Sequence, residues 1–151
     1  MNDEYLRLDN QLCFLFYSLS RAITRMYGPL LSELGLTYPQ YLVLLILWED
    51  DNIEVNRITE RLHMDTGTVS PMLKRLESAG LIKRSRSMED ERKVIISLTS
   101  KGLKLKEKAL VVPAELFCKT GLTMDEYRIM KNNLFELLTR IEDAESCKKN
   151  K

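Results

Sequence analysis

The chain has 151 residues, of which 44% are hydrophobic and 30% are charged, and its formal net charge is +1. These values are typical of a globular protein that buries its own core, and we expect one domain over residues 1–151. No apolar run approaches the ~20 residues of a membrane-spanning helix, and the acidic N-terminus has no secretory pattern, so we expect a cytoplasmic protein with no membrane partner.

The first helix is predicted at about residues 5–27. Its apolar residues recur at steps of three and four: Leu8, Leu12, Leu15, Leu19, Ile23 and Met26. Two phenylalanines widen this stripe, so the helix should be buried on more than one side. Gly28-Pro29 is predicted to interrupt it.

Thr37 is the predicted N-cap of the second helix, with Pro39 in its first turn. The segment YPQYLVLLILWED is apolar nearly all round. This pattern predicts a central core helix, to which Trp48 belongs as a packing residue rather than a ligand.

Two short helices around a tight polar turn are predicted next. The first covers about 57–63, after a short extended piece at 53–55, and His63 is expected at its end in a surface or capping role. Asp65 is the predicted N-cap of the second, and Gly80 is the residue that ends it. This arrangement is a helix-turn-helix.

Two strands, 81–86 and 93–98, follow the second helix, with SMEDER as the hairpin tip between them. A helix-turn-helix followed by such a hairpin is a winged helix. The predicted fold class is therefore mainly α with a small β-wing, a winged helix-turn-helix whose core covers about residues 37–98. Thr99 then caps a predicted helix that runs to Pro113, and a capping box at 123–126 opens the final helix.

Basic residues gather between residues 74 and 108, whereas acidic residues cluster at 49–54. Such a basic region favours a nucleic-acid partner, and the second helix of the motif is expected in the major groove. Arg92, oriented by the Asp90 carboxylate, is predicted to enter the minor groove of A·T-rich DNA. The predicted DNA-binding residues are Asp65, Thr66, Gly67, Thr68, Ser70, Pro71, Lys74, Arg75, Arg86, Asp90 and Arg92. The alternative is a packed helical hairpin with a purely structural wing.

The segment DTGTVSPMLKRLESAGLIKRSRSMEDERKVIISLT resembles the winged-helix core of the MarR transcriptional regulators, including their Asp-x-Arg wing. NQLCFLFY, LTYPQYLVLLILWE and LKEKA resemble, more narrowly, the organic hydroperoxide resistance regulators. The resemblance implies a homodimer in which the N- and C-terminal helices, here about 5–27 and 99–146, interlock. It also implies that two winged-helix lobes bind an inverted repeat in double-stranded DNA. Terminal helices too apolar to stand exposed agree with this dimer.

The same resemblance implies a redox sensor at Cys13, held by Tyr27 and Tyr38, with Tyr17 one turn from Cys13 as a further candidate. A thiol reacts with peroxide as its thiolate, and phenolic hydroxyls can donate hydrogen bonds to that anion. Apolar neighbours of Cys13 favour an organic hydroperoxide as the signal. The alternative for each tyrosine is an ordinary core position.

CKTG at 118–121 resembles the segment that holds the resolving cysteine in regulators with a two-cysteine mechanism. Cys118 of the partner chain is therefore the predicted resolving thiol, because a sulfenic acid condenses readily with a nearby thiol. The alternatives are that Cys118 is a packing residue and that a small thiol caps the sensor. Cys147, in a lysine-rich tail, is predicted to be incidental.

The predicted function is a DNA-binding repressor that senses organic hydroperoxides through Cys13 and then releases its operator. Three alternatives are a regulator with a small aromatic ligand in its dimer cleft, a thiol peroxidase, and an interaction protein with no DNA role. An enzyme is not expected, because no peroxidase-type arginine stands beside Cys13. No metal or other cofactor is expected either, since the chain has one histidine, His63, and no CxxC or HExxH motif.

Overall fold

The computed structural model describes residues 3–149, with side chains described over residues 3–145. Contacts divide the chain into two compact units, Met1–Ala114 and Glu115–Lys151, and the expectation of a single domain stays a prediction. The elements in chain order are two 3-10 turns (Asp3–Leu6 and Leu8–Asn10), α1 (Leu12–Ser32), α2 (Tyr38–Glu49), β1 (Ile53–Glu54), α3 (Val55–Leu62), α4 (Thr66–Ser78), β2 (Ile82–Arg86), β3 (Val94–Leu98), α5 (Ser100–Ala109), α6 (Val111–Thr120) and α7 (Met124–Lys149).

The first α-helix begins and ends later than predicted. The residue before Leu12 has extended backbone angles, so α1 starts there rather than near residue 5. The prediction that Gly28-Pro29 interrupts the helix is wrong. A residue before proline avoids the helical region because its Cβ meets the proline ring, and glycine has no Cβ. The chain leaves the helix at Gly35, whose φ of +68° lets the next N–H reach the carbonyl of the buried Leu31 (2.9 Å).

The second helix is the centre of the first unit's core, as its composition predicts. The Oε1 atom of Gln40 accepts hydrogen bonds from the Thr37 N–H (2.8 Å) and hydroxyl (3.0 Å), which caps the helix start. Trp48 packs against the core, and its Nε1 donates to the Gly102 carbonyl on α5 (3.0 Å). Five α2 residues are buried: Tyr41, Val43, Leu44, Ile46 and Leu47.

Helices α3 and α4 form the predicted helix-turn-helix. α3 begins at Val55, two residues before the predicted 57, and His63 ends it in the left-handed conformation (φ 51°). The predicted cap of α4 is confirmed, because Asp65 Oδ1 accepts from the Thr68 N–H (2.9 Å). Gly80 (φ +70°) ends α4 as predicted. The core face of α4 consists of Val69, Leu73 and Leu76.

The wing is an antiparallel hairpin of β2 and β3, and β1 adds a third strand in the order β1-β3-β2. Both wing strands begin one residue after their predicted starts, and Ile82 pairs with Leu98 while Arg86 pairs with Val94. Ile96 in the central strand is fully buried. A one-residue slip would turn that side chain to solvent, so its burial sets the register.

The helix predicted from Thr99 to Pro113 is instead two helices. Thr99 caps α5 as predicted, since its Oγ1 accepts from the Gly102 N–H (3.1 Å). α5 ends at Ala109 because Pro113, four residues on, has no N–H for that carbonyl and its ring crowds that turn. In α6, Pro113 occupies the first turn, where no intrahelical N–H is needed.

The second unit contains the long helix α7, opened by the predicted capping box. Glu126 Oε2 accepts from the Thr123 N–H (2.8 Å) and hydroxyl (2.9 Å), and these bonds lower the pKa of the Glu126 carboxyl. Much of the apolar surface of α7 is exposed, with Phe135 at 69% and Ile129 at 62%. Within this unit the helix therefore presents a large uncovered apolar face, which is typical of an interaction surface.

Candidate DNA-binding face and redox site

The exposed face of α4 carries the residues predicted to contact DNA. Thr66, Gly67, Thr68, Pro71, Lys74 and Arg75 are exposed, and Ser70 is half-buried. Asp65 and Thr68 are joined by two bonds, the second from the Thr68 hydroxyl to Oδ2 (2.6 Å). These bonds lower the pKa of Asp65, so its carboxylate holds the helix start in place. A Cβ on Gly67 would lie 2.9 Å from Asp65 Oδ1, so a larger residue there would press on the cap.

Pro71 adds a feature that the sequence analysis did not use. It stands in the second turn of α4, where a proline supplies no N–H to the carbonyl of Gly67, four residues earlier. The proline ring also crowds that carbonyl, so the first turn of α4 lacks one of its usual helical hydrogen bonds.

The wing tip has the predicted arginine–carboxylate pair. Arg92 Nε lies 3.2 Å from Asp90 Oδ1, and the same oxygen accepts the Arg92 N–H at 3.1 Å. The Arg92 side chain is nevertheless 92% exposed. Arg86, at the outer end of β2, is exposed as well. The pair therefore holds the guanidinium in orientation while leaving its outer donors available.

A cleft of about 200 Å³ between α4 and the wing contains polar residues that the sequence analysis missed. Arg84 shares a strand face with the buried Ile82, and its Nε lies 3.0 Å from Glu77 on α4. The two-residue period of β2 was the signal that would have identified Arg84. The polar lining residues of the cleft are Glu54, Asn56, Thr66, Ser70, Arg84, Arg92 and Lys93. Hydroxyl, amide and guanidinium donors in this number are suited to a phosphate group.

Lys93 in the same cleft has a partner. Its Nζ lies 2.8 Å from Glu54 Oε1, and this hydrogen bond and the carboxylate charge raise the pKa of Lys93. The lysine is therefore charged but locally neutralised. The ion pair joins β1 to the residue before β3, and the two arginines of the cleft are paired in the same way, Arg84 with Glu77 and Arg92 with Asp90.

Cys13 is exposed and is the second residue of α1. The predicted first helix began near residue 5, which placed Cys13 inside it. A helix starting at Leu12 instead puts the sulfur in the first turn of α1. Apolar side chains of α1 beside it are also exposed, including Leu12 (59%) and Leu15 (58%).

The predicted tyrosines lie together, but not beside Cys13 of the same chain. The Tyr27 and Tyr38 rings are 4.6 Å apart between centroids, and burial raises the pKa of Tyr38, so its hydroxyl stays protonated as a donor. Cys13 and Tyr27 lie fourteen residues apart on one helix. At about 1.5 Å per residue this separates them by about 21 Å. A cluster of Cys13, Tyr27 and Tyr38 within one chain is therefore excluded, and the helical rise alone would have shown this.

Tyr17 lies on the same helix face as Cys13, one turn further on. Its hydroxyl accepts a hydrogen bond from Arg21 Nη1 (2.8 Å), and the guanidinium carbon is 5.4 Å from the ring centroid. Because the oxygen accepts from arginine, its own proton is free to be donated elsewhere. Cys118 is exposed near the end of α6, in the second unit, whereas the side chain of Cys147 lies outside the described residues.

Comparison with known proteins places this geometry in a family. Residues 25–109 match the family model described as transcriptional regulator SarA/Rot. The chain is 48% identical over 135 residues to the organic hydroperoxide resistance transcriptional regulator of Bacillus subtilis, which covers 89% of this chain and 92% of that protein. The chain belongs to the MarR family of transcriptional regulators, in its organic hydroperoxide resistance branch.

Solved structures agree with the MarR assignment. Reduced AbfR bound to DNA has a TM-score of 0.80 and 38% identity, covering 95% of this chain and 99% of that one. Disulfide-formed AbfR has a TM-score of 0.62 and 37% identity, covering 90% and 96%. AbfR is a protein of Staphylococcus epidermidis. This MarR-family chain is thus more similar to the reduced, DNA-bound form of that relative than to its disulfide form.

Two features are absent from the described residues of this MarR-family chain: a membrane-spanning helix and a metal-binding cluster. Among their helices, none has the length and apolar character needed to cross a membrane. Over the same part of the chain, no three His, Cys, Asp or Glu residues are grouped so that they could hold a metal ion.

Proposed function

We propose that this regulator is a homodimeric repressor that binds an inverted-repeat, A·T-rich operator and releases it when an organic hydroperoxide oxidises Cys13. One observation carries the proposal: an exposed thiol at the start of a largely apolar helix, in a chain whose α4 and wing present a basic, polar surface. The name of the B. subtilis relative supports organic hydroperoxides as the signal. The apolar side chains around Cys13 favour them over small hydrophilic peroxides.

Dimerisation is supported by the apolar surface of the terminal helices. Leu12, Leu15 and Leu19 are exposed on α1, as are Ile129 and Phe135 on α7. A monomer rarely leaves so much contiguous apolar surface in water. A two-fold dimer would cover these faces and set two α4 helices against the two halves of a palindrome.

The tyrosines act on Cys13 across the dimer. A hydrogen bond spans about 3 Å, whereas Cys13 and Tyr27 of one chain lie about 21 Å apart. The proposed site therefore combines Cys13 of one subunit with Tyr27 and Tyr38 of the partner subunit. Tyr17 of the sensor's own helix is the further donor, since it stands one turn from Cys13.

The chemistry requires two thiols and the peroxide. The Cys13 thiolate attacks one peroxide oxygen, the O–O bond breaks, and the other oxygen takes a proton and leaves as an alcohol. The resulting sulfenic acid condenses with the thiol of Cys118 of the partner subunit, which forms a disulfide and releases water. Hydrogen bonds from the phenolic hydroxyls would stabilise the thiolate and the sulfenate.

The test is operator binding before and after stoichiometric cumene hydroperoxide, with Cys13→Ser as the control variant. We expect oxidation to weaken operator binding at least ~100-fold. This requires that the free energies of DNA binding of two dimer conformations differ by only ~2.7 kcal/mol. Cys13→Ser should bind and not respond. Undiminished binding after oxidation verified by mass spectrometry would refute the sensing mechanism.

The resolving thiol is tested separately on a non-reducing gel. A disulfide-linked dimer that is lost in Cys118→Ser supports the two-cysteine route. A monomer band carrying a small-thiol adduct in the native protein would contradict it without affecting the role of Cys13.

A further inference from the structure

A groove of about 500 Å³ lies in the first unit, between the end of α1 and the outer face of α5. Its apolar floor consists of Leu34, Leu81 and Leu105, and its basic rim consists of Lys101, Lys104 and Lys108. The lysines follow one another at steps of three and four, so they share one helix face. We call this site the lysine-rimmed groove. Its occupant must be both apolar and anionic.

The N-terminal segment, residues 3–10, has that complementary character. Its charged residues are Asp3, Glu4, Arg7 and Asp9. The apolar side chains in it face solvent, with Leu6 at 86%, Tyr5 at 78% and Leu8 at 57% exposed. The segment is acidic on balance, and its apolar side chains need a partner surface.

This segment is also ordered. Gln11 Nε2 donates to the Tyr5 carbonyl (2.6 Å) and Asn10 Nδ2 donates to the Glu4 carbonyl (2.8 Å), which holds both 3-10 turns against the start of α1. A segment that is already folded loses less conformational entropy when it docks. An ordered segment whose apolar side chains face solvent is what we expect of an interface element when its partner is absent.

The symmetry of the dimer brings segment and groove together, and this step rests on the proposed function. Where Cys13 faces Tyr27 of the partner subunit, two-fold symmetry requires the reverse contact as well. The two α1 helices are then antiparallel and cross at Ser20, midway between those residues. Residues equally far from Ser20 face each other across the axis.

Leu6 lies seven residues before Cys13, and Leu34 lies seven residues after Tyr27. Both leucines lie outside α1, Leu6 in the 3-10 turn before its start and Leu34 in the turn after its end. In the antiparallel pair the start of one α1 meets the end of the other, so the segment that contains Leu6 lies at the end of the partner's α1 where the lysine-rimmed groove opens.

We propose that the N-terminal segment of each subunit docks in the lysine-rimmed groove of its partner. Leu6 lies on the apolar floor, and the acidic residues of the segment face the lysines of α5. The groove is also lined by Ala79, at the end of α4. The residues that lead into Cys13 therefore lie beside the C-terminal end of the partner's recognition helix, so a displacement of the segment on oxidation would act on that helix.

The test is disulfide trapping in a background with Cys13, Cys118 and Cys147 replaced by serine. Leu6→Cys combined with Leu34→Cys should form a disulfide-linked dimer under oxidised glutathione. Within one chain these positions are too far apart along α1 to pair. Leu6→Cys with Met88→Cys is the matched control, because Met88 is fully exposed at the wing tip. Paired positions meet at an effective concentration of about millimolar, so we expect linkage about 100-fold faster than in the control.

Charge reversal supplies a second measurement. Lys104→Glu with Lys108→Glu in the trapping variant should slow linkage about tenfold, and adding Glu4→Lys with Asp9→Lys should restore it. Linkage no faster than in the control would overturn the docking. Displacement of a groove-bound anionic dye by a fatty acid would then assign the groove to a small amphiphile. Failure of docking leaves the Cys13-dependent release of DNA by the native protein intact, whereas failure of the proposed function abolishes that release.

Discussion

The position of the tyrosines leads to a prediction about mixed dimers. In a Tyr27→Phe homodimer, both Cys13 thiolates lose the hydrogen bond proposed from the partner's hydroxyl. A hydrogen bond to a charged group contributes about 1.5–3 kcal/mol, so oxidation of Cys13 should slow by about ten- to a hundredfold. Cys13 and Tyr27 of one chain lie about 21 Å apart on α1, at about 1.5 Å per residue. This distance excludes a direct effect of Tyr27 on the thiol of its own chain.

A heterodimer of a Tyr27→Phe chain and a Cys13→Ser chain separates the two geometries. Its one remaining Cys13 belongs to the phenylalanine chain and faces the intact Tyr27 of the serine chain, so we expect the native rate of oxidation. The assay is mass spectrometry of sulfenic acid trapping, with one chain isotopically labelled. A rate as slow as that of the Tyr27→Phe homodimer would refute the arrangement across the dimer. A native rate in the homodimer itself would show that Tyr27 has no role at the thiol.

Three further predictions concern stability and DNA binding. Gly102→Ala would place a Cβ 2.1 Å from the Leu81 carbonyl oxygen. We expect the free energy of unfolding to fall by about 3 kcal/mol and the Tm, measured by circular dichroism, to fall by roughly 10 °C. The exposed Glu107→Ala should change neither quantity. Equal Tm values for the two variants would contradict the packing argument. Arg92→Ala should weaken operator binding at least tenfold and reduce its salt dependence by about two ions, one for each wing of the dimer, measured by fluorescence anisotropy from 50 to 200 mM salt. An unchanged salt slope would remove Arg92 from the DNA interface. Because the pKa of Asp65 is lowered in the folded state, its carboxylate stabilises the fold above its ordinary pKa, and that stability is lost as pH falls through the lowered value. The unfolding free energy of the native protein should therefore fall more steeply below about pH 4 than that of Asp65→Asn, which keeps an uncharged cap, and parallel pH profiles would contradict this.

The sequence by itself determined the starts of four helices (α2, α4, α5 and α7), the recognition helix and the wing. The caps at Thr37, Asp65, Thr99 and Thr123 were all predicted, because each is a bond between residues three positions apart and needs no other part of the fold. The exposed face of α4 followed from its apolar period. The Asp90–Arg92 pair likewise depends on neighbours within one hairpin tip.

Only the tertiary structure decided the features that depend on distant residues. Pro29 does not end α1, because the residues that follow it pack into the core and Gly35 supplies the helix end instead. The cleft with Arg84 exists because β2 lies against α4, a contact that no local pattern records. Hydrogen bonds between side chains three or four residues apart can be predicted from the sequence, because all their atoms lie in one short segment. Packing between elements depends on the folded chain.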